Sequence, residues 1–135
     1  MTTRSRGVGA PPGRKIPGPV YPLGTLVFSI AIVGRKRASR EVVERLGVGE
    51  PRAEAYIREN LSLLDAGNYE CTREMEWECG DGTKKVTADV YGLRNEDGDW
   101  YVKFYVEHGR VIVASFHEPE FNMRCASGLE LKGWR

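Results

Sequence analysis

The sequence predicts a single α+β domain in which short helices pack on an antiparallel sheet of four to six strands. Two observations carry that expectation. From Tyr69 to Phe116 large apolar and polar residues alternate in runs separated by turn chemistry, whereas from Ser39 to Leu64 apolar residues recur at helical spacing. The chain has 135 residues, enough to bury a core without disulfide or metal staples. Its hydrophobic content of 41% and charged content of 29% are ordinary for a globular protein and exclude few function classes.

Along the chain, residues 1–22 mix Gly7, Gly9, Pro11, Pro12, Gly13, Pro17, Gly18, Pro19 and Pro22 with Arg4, Arg6, Arg14 and Lys15. Such a stretch has little apolar surface to offset chain entropy, and a disordered basic arm is expected. Residues 23–33 are the one long apolar run. Its β-branched content fits a strand, while Leu23, Leu26, Val27, Ile30 and Val33 recur at helical spacing. It is too short to span a bilayer, which needs roughly 20 apolar residues. Gly34-Arg35-Lys36-Arg37 follows it where a signal peptide would carry small residues, so it reads as buried structure.

Ser39 is placed to cap a short helix with Val42, Val43 and Leu46 as its apolar stripe and Gly47 as its stop. Glu50-Pro51 opens a second helix, because proline suits a first turn, and Ala66-Gly67-Asn68 closes it. From Tyr69 the period becomes two. Tyr69, Cys71, Arg73, Met75, Trp77 and Cys79 are expected on one strand face and Glu70, Thr72, Glu74, Glu76 and Glu78 on an acidic outer one. Gly80-Asp81-Gly82, Asn95-Glu96-Asp97-Gly98 and His108-Gly109 then separate the strands of a four-stranded meander over residues 69–116. In the third strand Trp100, Val102, Phe104 and Val106 share one face and Tyr101, Lys103, Tyr105 and Glu107 the other. The domain proper is expected over 23–118, with residues 119–135 as an extension that could add an edge strand.

Charge is unevenly spread. Residues 1–40 hold eight Arg or Lys and no Asp or Glu, so of 20 basic and 19 acidic residues the remainder keeps 12 and 19, a net of −7. A basic front points to a polyanion or an acidic partner. Arg35, Lys36 and Arg37, with Lys85 from the sheet, are the candidate nucleic-acid backbone contacts, since clustered cations without interleaved aromatics read phosphate and not bases. Three cysteines, Cys71, Cys79 and Cys125, lack the spacing of a zinc site or a disulfide framework, so neither metal nor cofactor is expected and reduced thiols in a cytoplasm are. P-loop, GxSxG and HExxH motifs are absent.

The order Asp89-Val90-Tyr91, Tyr101-Val102-Lys103, then Val111 to Ser115-Phe116 resembles the C-terminal meander of the MqsR-type messenger-RNA interferases, toxins of bacterial type II toxin–antitoxin pairs. A looser likeness reaches back to about Tyr21, through Leu46-Gly47-Val48 and Asn68-Tyr69. The resemblance implies a RelE-like fold and metal-independent cleavage of RNA through the ribose 2′-hydroxyl, with a protein antitoxin as partner and no membrane. It also implies an active site of a Lys after the aromatic pair, a Gln before Asp-Val-Tyr, and the Tyr of the third strand. This chain has Glu70, Ala88 and Tyr101 there. Such cleavage needs a proton acceptor, a proton donor and positive charge toward the phosphate. Tyr101 and Glu70 are the candidate proton-transfer groups, Lys103 and Arg73 the candidate cations, and His117 a further candidate acid because imidazole titrates near neutrality. The competing reading, favoured by Glu70 and Ala88, is a catalytically inactive binding module on the same fold, an immunity- or antitoxin-type partner protein.

Overall fold

A computed structural model describes residues 13–24, 32–34, 36–79 and 82–135. The strands are β1 (Arg14–Ile16), β2 (Ile32–Gly34), β3 (Tyr69–Cys79), β4 (Gly82–Asn95), β5 (Gly98–Glu107), β6 (Arg110–His117), β7 (Met123–Arg124) and β8 (Glu130–Leu131), and the helices are α1 (Lys36–Leu46) and α2 (Glu50–Leu61). Six strands form one sheet in the order β1-β3-β4-β5-β6-β2, antiparallel except for β2, which runs parallel to β6. The expected α+β class and the meander β3 to β6 are both present. The β5–β6 turn puts His108 at φ 53° and Gly109 at φ 72°, the left-handed pair whose twist matches a two-residue hairpin.

One sheet face is covered by the helices. Trp100, Val102 and Phe104 are completely buried there with Val113 and Phe116, against Val42 of α1 and Ala53 and Ile57 of α2. Tyr91 stacks on Phe104 at 5.6 Å between centroids, and Trp100 lies 5.0 Å from Phe116. The Arg45 guanidinium caps this cluster 4.1 Å from the Trp100 ring centroid and donates to the carbonyls of Asp97 and Asp99. Burial of whole aromatic rings, each of roughly 150–250 Å², makes this layer the main store of apolar stabilisation.

Several expectations are corrected. The arm over 13–22 is not loose. β1 pairs with β3 through Arg14↔Glu74 and Ile16↔Thr72, and the chain beyond it is tied to Asp89, a fully buried carboxylate. Asp89 accepts from the backbone N–H of Val20 (3.0 Å) and Tyr21 (2.9 Å) and from the Thr72 hydroxyl (2.6 Å). Local composition underestimates order because these partners are distant in sequence; residues 1–12 lie outside the described residues. The helical reading of 23–33 holds at Leu23 and Gly24 and fails at Ile32–Gly34, which is strand, with 25–31 outside the described residues. Ser39 is not a cap: α1 begins at Lys36, and Ser39 is buried with its hydroxyl donating to Glu50.

The faces of β3 also differ from strict alternation. Tyr69 pairs with Tyr91 and Cys71 with Val90, so Glu70 is an extra residue in a bulge. Tyr69 therefore packs with the helix-side core, and Cys71 with the opposite face. Thr72, assigned to an acidic outer row, is fully buried against Asp89. A second bulge lies in β6, where Lys103 pairs with Ser115 and Phe104 with Val113, leaving Ala114 unmatched. Residues 119–135 add no edge to the main sheet. They form the separate β7–β8 hairpin, which sets Met123 and Leu131 on Cys71 and Val90 of the helix-free face.

Candidate functional site

The helix-free face carries the candidate chemistry. On β5, Tyr101 and Lys103 alternate with the buried Val102, so pleating directs both away from the helices. Tyr101 pairs with His117 across β5–β6, and their rings stack at 5.0 Å with 15° between planes. His117 Nδ1 lies 2.8 Å from the Glu118 carbonyl oxygen. A carbonyl only accepts, so the neutral ring carries its proton on Nδ1 and its lone pair on Nε2.

Burial pushes the Tyr101 hydroxyl well above the ordinary phenol range; Arg73 pulls it down, and Cys71, Glu70 and Glu120 push it up again. The hydroxyl thus stays protonated. It can donate a hydrogen bond or a proton to a developing oxyanion and is not a base. Arg73 reaches this surface from β3, where its guanidinium donates to the Gly13 carbonyl at 2.8 Å. The β1 connection therefore fixes the cation's direction. Lys103, half-buried, stands between Val90 and Ser115 in the cross-strand register.

Glu70 comes to the same side because it is the bulged residue, an arrangement common where a strand must re-aim a side chain. Its Oε1 accepts from the Cys71 thiol at 3.0 Å, and its Oε2 lies 4.0 Å from Lys15 Nζ. Burial first, then Glu70, pushes the Cys71 thiol up to about 11, which keeps it protonated and unreactive at neutral pH. Cys71 and Cys125 are both free and buried. Ala88 is fully buried in the sheet and contributes no polar group.

The four candidate catalytic residues, Tyr101, Lys103, Arg73 and Glu70, thus share one face, but of the candidate RNA contacts Lys85 does not join them. Lys85 lies on the strand face of Thr87 and Asp89, opposite that of Val86, Ala88 and Val90. Lys36 and Arg37 open α1, a member of the helix layer behind the sheet, and Arg35 lies outside the described residues. Glu120 was missed by sequence reasoning. It acts on Tyr101 from the C-terminal extension, and no local pattern marks a residue whose role depends on how the extension folds back. Among the described residues, no group of three or more His, Cys, Asp or Glu is placed to hold a metal ion, and no helix is long and apolar enough to cross a membrane. Comparison with protein-family models, with curated proteins and with solved structures finds no match to this chain.

Proposed function

We propose that this chain is an endoribonuclease toxin of the MqsR type, cleaving messenger RNA without a metal in a bacterial cytoplasm and restrained by a protein antitoxin. The observation that carries the reading is the convergence of Tyr101, His117, Arg73 and Glu70 on one sheet face, Glu70 by way of a bulge. His117 Nε2 accepts the 2′-hydroxyl proton as that oxygen attacks the adjacent phosphorus. Arg73 and Lys103 stabilise the charge that builds on the phosphate oxygens, and the Tyr101 hydroxyl protonates the departing 5′-oxygen. A 2′,3′-cyclic phosphate and a free 5′-hydroxyl result. Glu70, held between Cys71 and Lys15, tunes this surface and does not act as the base.

The inactive binding module is the second reading, favoured by the β7–β8 hairpin covering the Cys71 and Val90 end of the same face. Expression of the chain alone in bacteria, with growth and transcript integrity followed, separates the two. Tyr101→Phe removes one hydroxyl and keeps the ring, so cleavage should fall by roughly 10²-fold with folding intact. Undiminished cleavage by Tyr101→Phe removes the proton-donor role. Absence of both toxicity and cleavage in the intact protein moves the assignment to the binding module.

A further inference from the structure

Beyond the Tyr101 surface, the C-terminal extension displays two aromatic rings that the core does not use. Phe121 is 65% exposed and Trp134 58%. Between them sits the Arg135 guanidinium, 4.9 Å from the Trp134 ring centroid and 5.6 Å from that of Phe121. The arrangement is built, not incidental. Trp134 N–H donates to the Pro119 carbonyl at 3.1 Å, Arg135 N–H to the Glu120 carbonyl at 3.0 Å, and Gly133 N–H to Asn122 Oδ1 at 2.9 Å. Gly133 passes so close to Phe121 that a β-carbon there would fall 2.4 Å from the Phe121 Cα, so only glycine permits the crossing that sets the rings together.

We propose that Phe121, Trp134 and Arg135 form a stacking platform for an unpaired base of single-stranded RNA. Aromatic faces and a guanidinium plane take any base by stacking, which explains a site with rings and a cation but little hydrogen-bonding specificity. Glu120 holds the guanidinium in place, its Oε1 3.5 Å from Arg135 Nε. The chain neighbours Glu120, Asn122, Lys132 and Arg135 are polar, whereas a protein interface calls for a more continuous apolar patch. The inference rests on the ribonuclease reading for its substrate class, and it adds where that substrate is held.

The test uses the full chain and a 2′-O-methylated oligoribonucleotide of about eight nucleotides, a length in the range single-strand sites occupy. Without a free 2′-hydroxyl this probe binds but cannot be cleaved. By fluorescence anisotropy, Trp134→Ala and Phe121→Ala should each weaken binding roughly ten-fold, the loss of one stacked base, while Trp134→Phe keeps most of the affinity. All three should melt with the parent, because both rings are solvent-facing. Unchanged affinity in Trp134→Ala overturns the platform and leaves the ribonuclease reading to the Tyr101→Phe test. Trp134-dependent binding by a protein that never cleaves natural RNA upholds the platform and removes the catalytic reading. No affinity of the parent chain for the probe overturns the platform outright, as does a patch whose only Trp134-dependent ligand is a protein.

Discussion

Replacing Asp89 should unfasten the N-terminal strap from the sheet. The carboxylate is fully buried and takes the N–H groups of Val20 and Tyr21 and the hydroxyl of Thr72. In Asp89→Ala those two N–H groups lose their acceptor, whereas Thr72 keeps the Tyr69 hydroxyl at 2.7 Å. An orphaned donor costs about 1–3 kcal/mol. Val20 is 46% exposed, so water can reach part of the gap, and a total near 3 kcal/mol is expected. For a chain of this length that is a fall in melting temperature of about 9–15 °C. Asp89→Asn should cost less, about 1–2 kcal/mol, because the amide oxygen can still serve Val20 and Tyr21 while its NH₂ turns to Thr72, whose hydroxyl accepts as well as donates. Urea unfolding gives the free energies, and amide exchange gives the location: Val20 and Tyr21 should lose protection before the meander does. A loss under about 1 kcal/mol in Asp89→Ala, or fast exchange at Val20 and Tyr21 in the parent, would refute the anchoring argument.

Gly92→Ala should loosen the β7–β8 hairpin, since the new β-carbon would lie 2.7 Å from Cys125 Sγ and 2.8 Å from Leu131 Cδ1; a cost of about 1–3 kcal/mol and faster thiol labelling of Cys125 are expected, and unchanged labelling would show that the hairpin yields without opening. Arg45→Leu removes the cation over Trp100 and the donors to Asp97 and Asp99, for about 2 kcal/mol measured by urea unfolding. The Arg14 guanidinium, 2.8 Å from Glu74, holds that carboxyl below its ordinary value of 4.5. The folded value is thus depressed, so this pair's stabilisation is present above about 4.5 and is lost as pH falls through the folded value. In Arg14→Ala an NMR titration of Glu74 should move up toward the ordinary value, and an unmoved titration would assign the depression to another neighbour.

How far the sequence is legible depends on how local the cause is. The start of α2 at Glu50-Pro51 and the β5–β6 turn at His108-Gly109 follow from backbone preferences of two or three residues, and both stand where those preferences put them. The split of Trp100, Val102 and Phe104 from Tyr101 and Lys103 follows from pleating alone. Ser39 misleads because a good cap residue is also a good buried donor when a carboxylate such as Glu50 is near. The strap and the hairpin are illegible for a different reason: Asp89 lies 68 residues from Tyr21, and nothing near Gly133 predicts its crossing over Phe121. The candidate site was half legible. Tyr101 and Lys103 share a face by alternation, but the period within one strand does not say that Arg73 of β3 faces them, and Glu70 joins them only through a bulge that a strict two-residue period cannot register.

The β6 bulge makes His117 a matter of counting. With Ala114 as the unmatched residue, Phe116 faces Val102 and sinks into the core while His117 lands opposite Tyr101. Were Ala114 instead matched to Lys103, regular pairing from Phe104↔Val113 would set Ser115 opposite Val102, bring Phe116 out against Tyr101, and carry His117 past it. A substitution at Ala114 leaves that frame alone; only pairing of the extra residue shifts it. The imidazole on this surface is therefore specified by the register that follows the bulge as much as by the identity of residue 117.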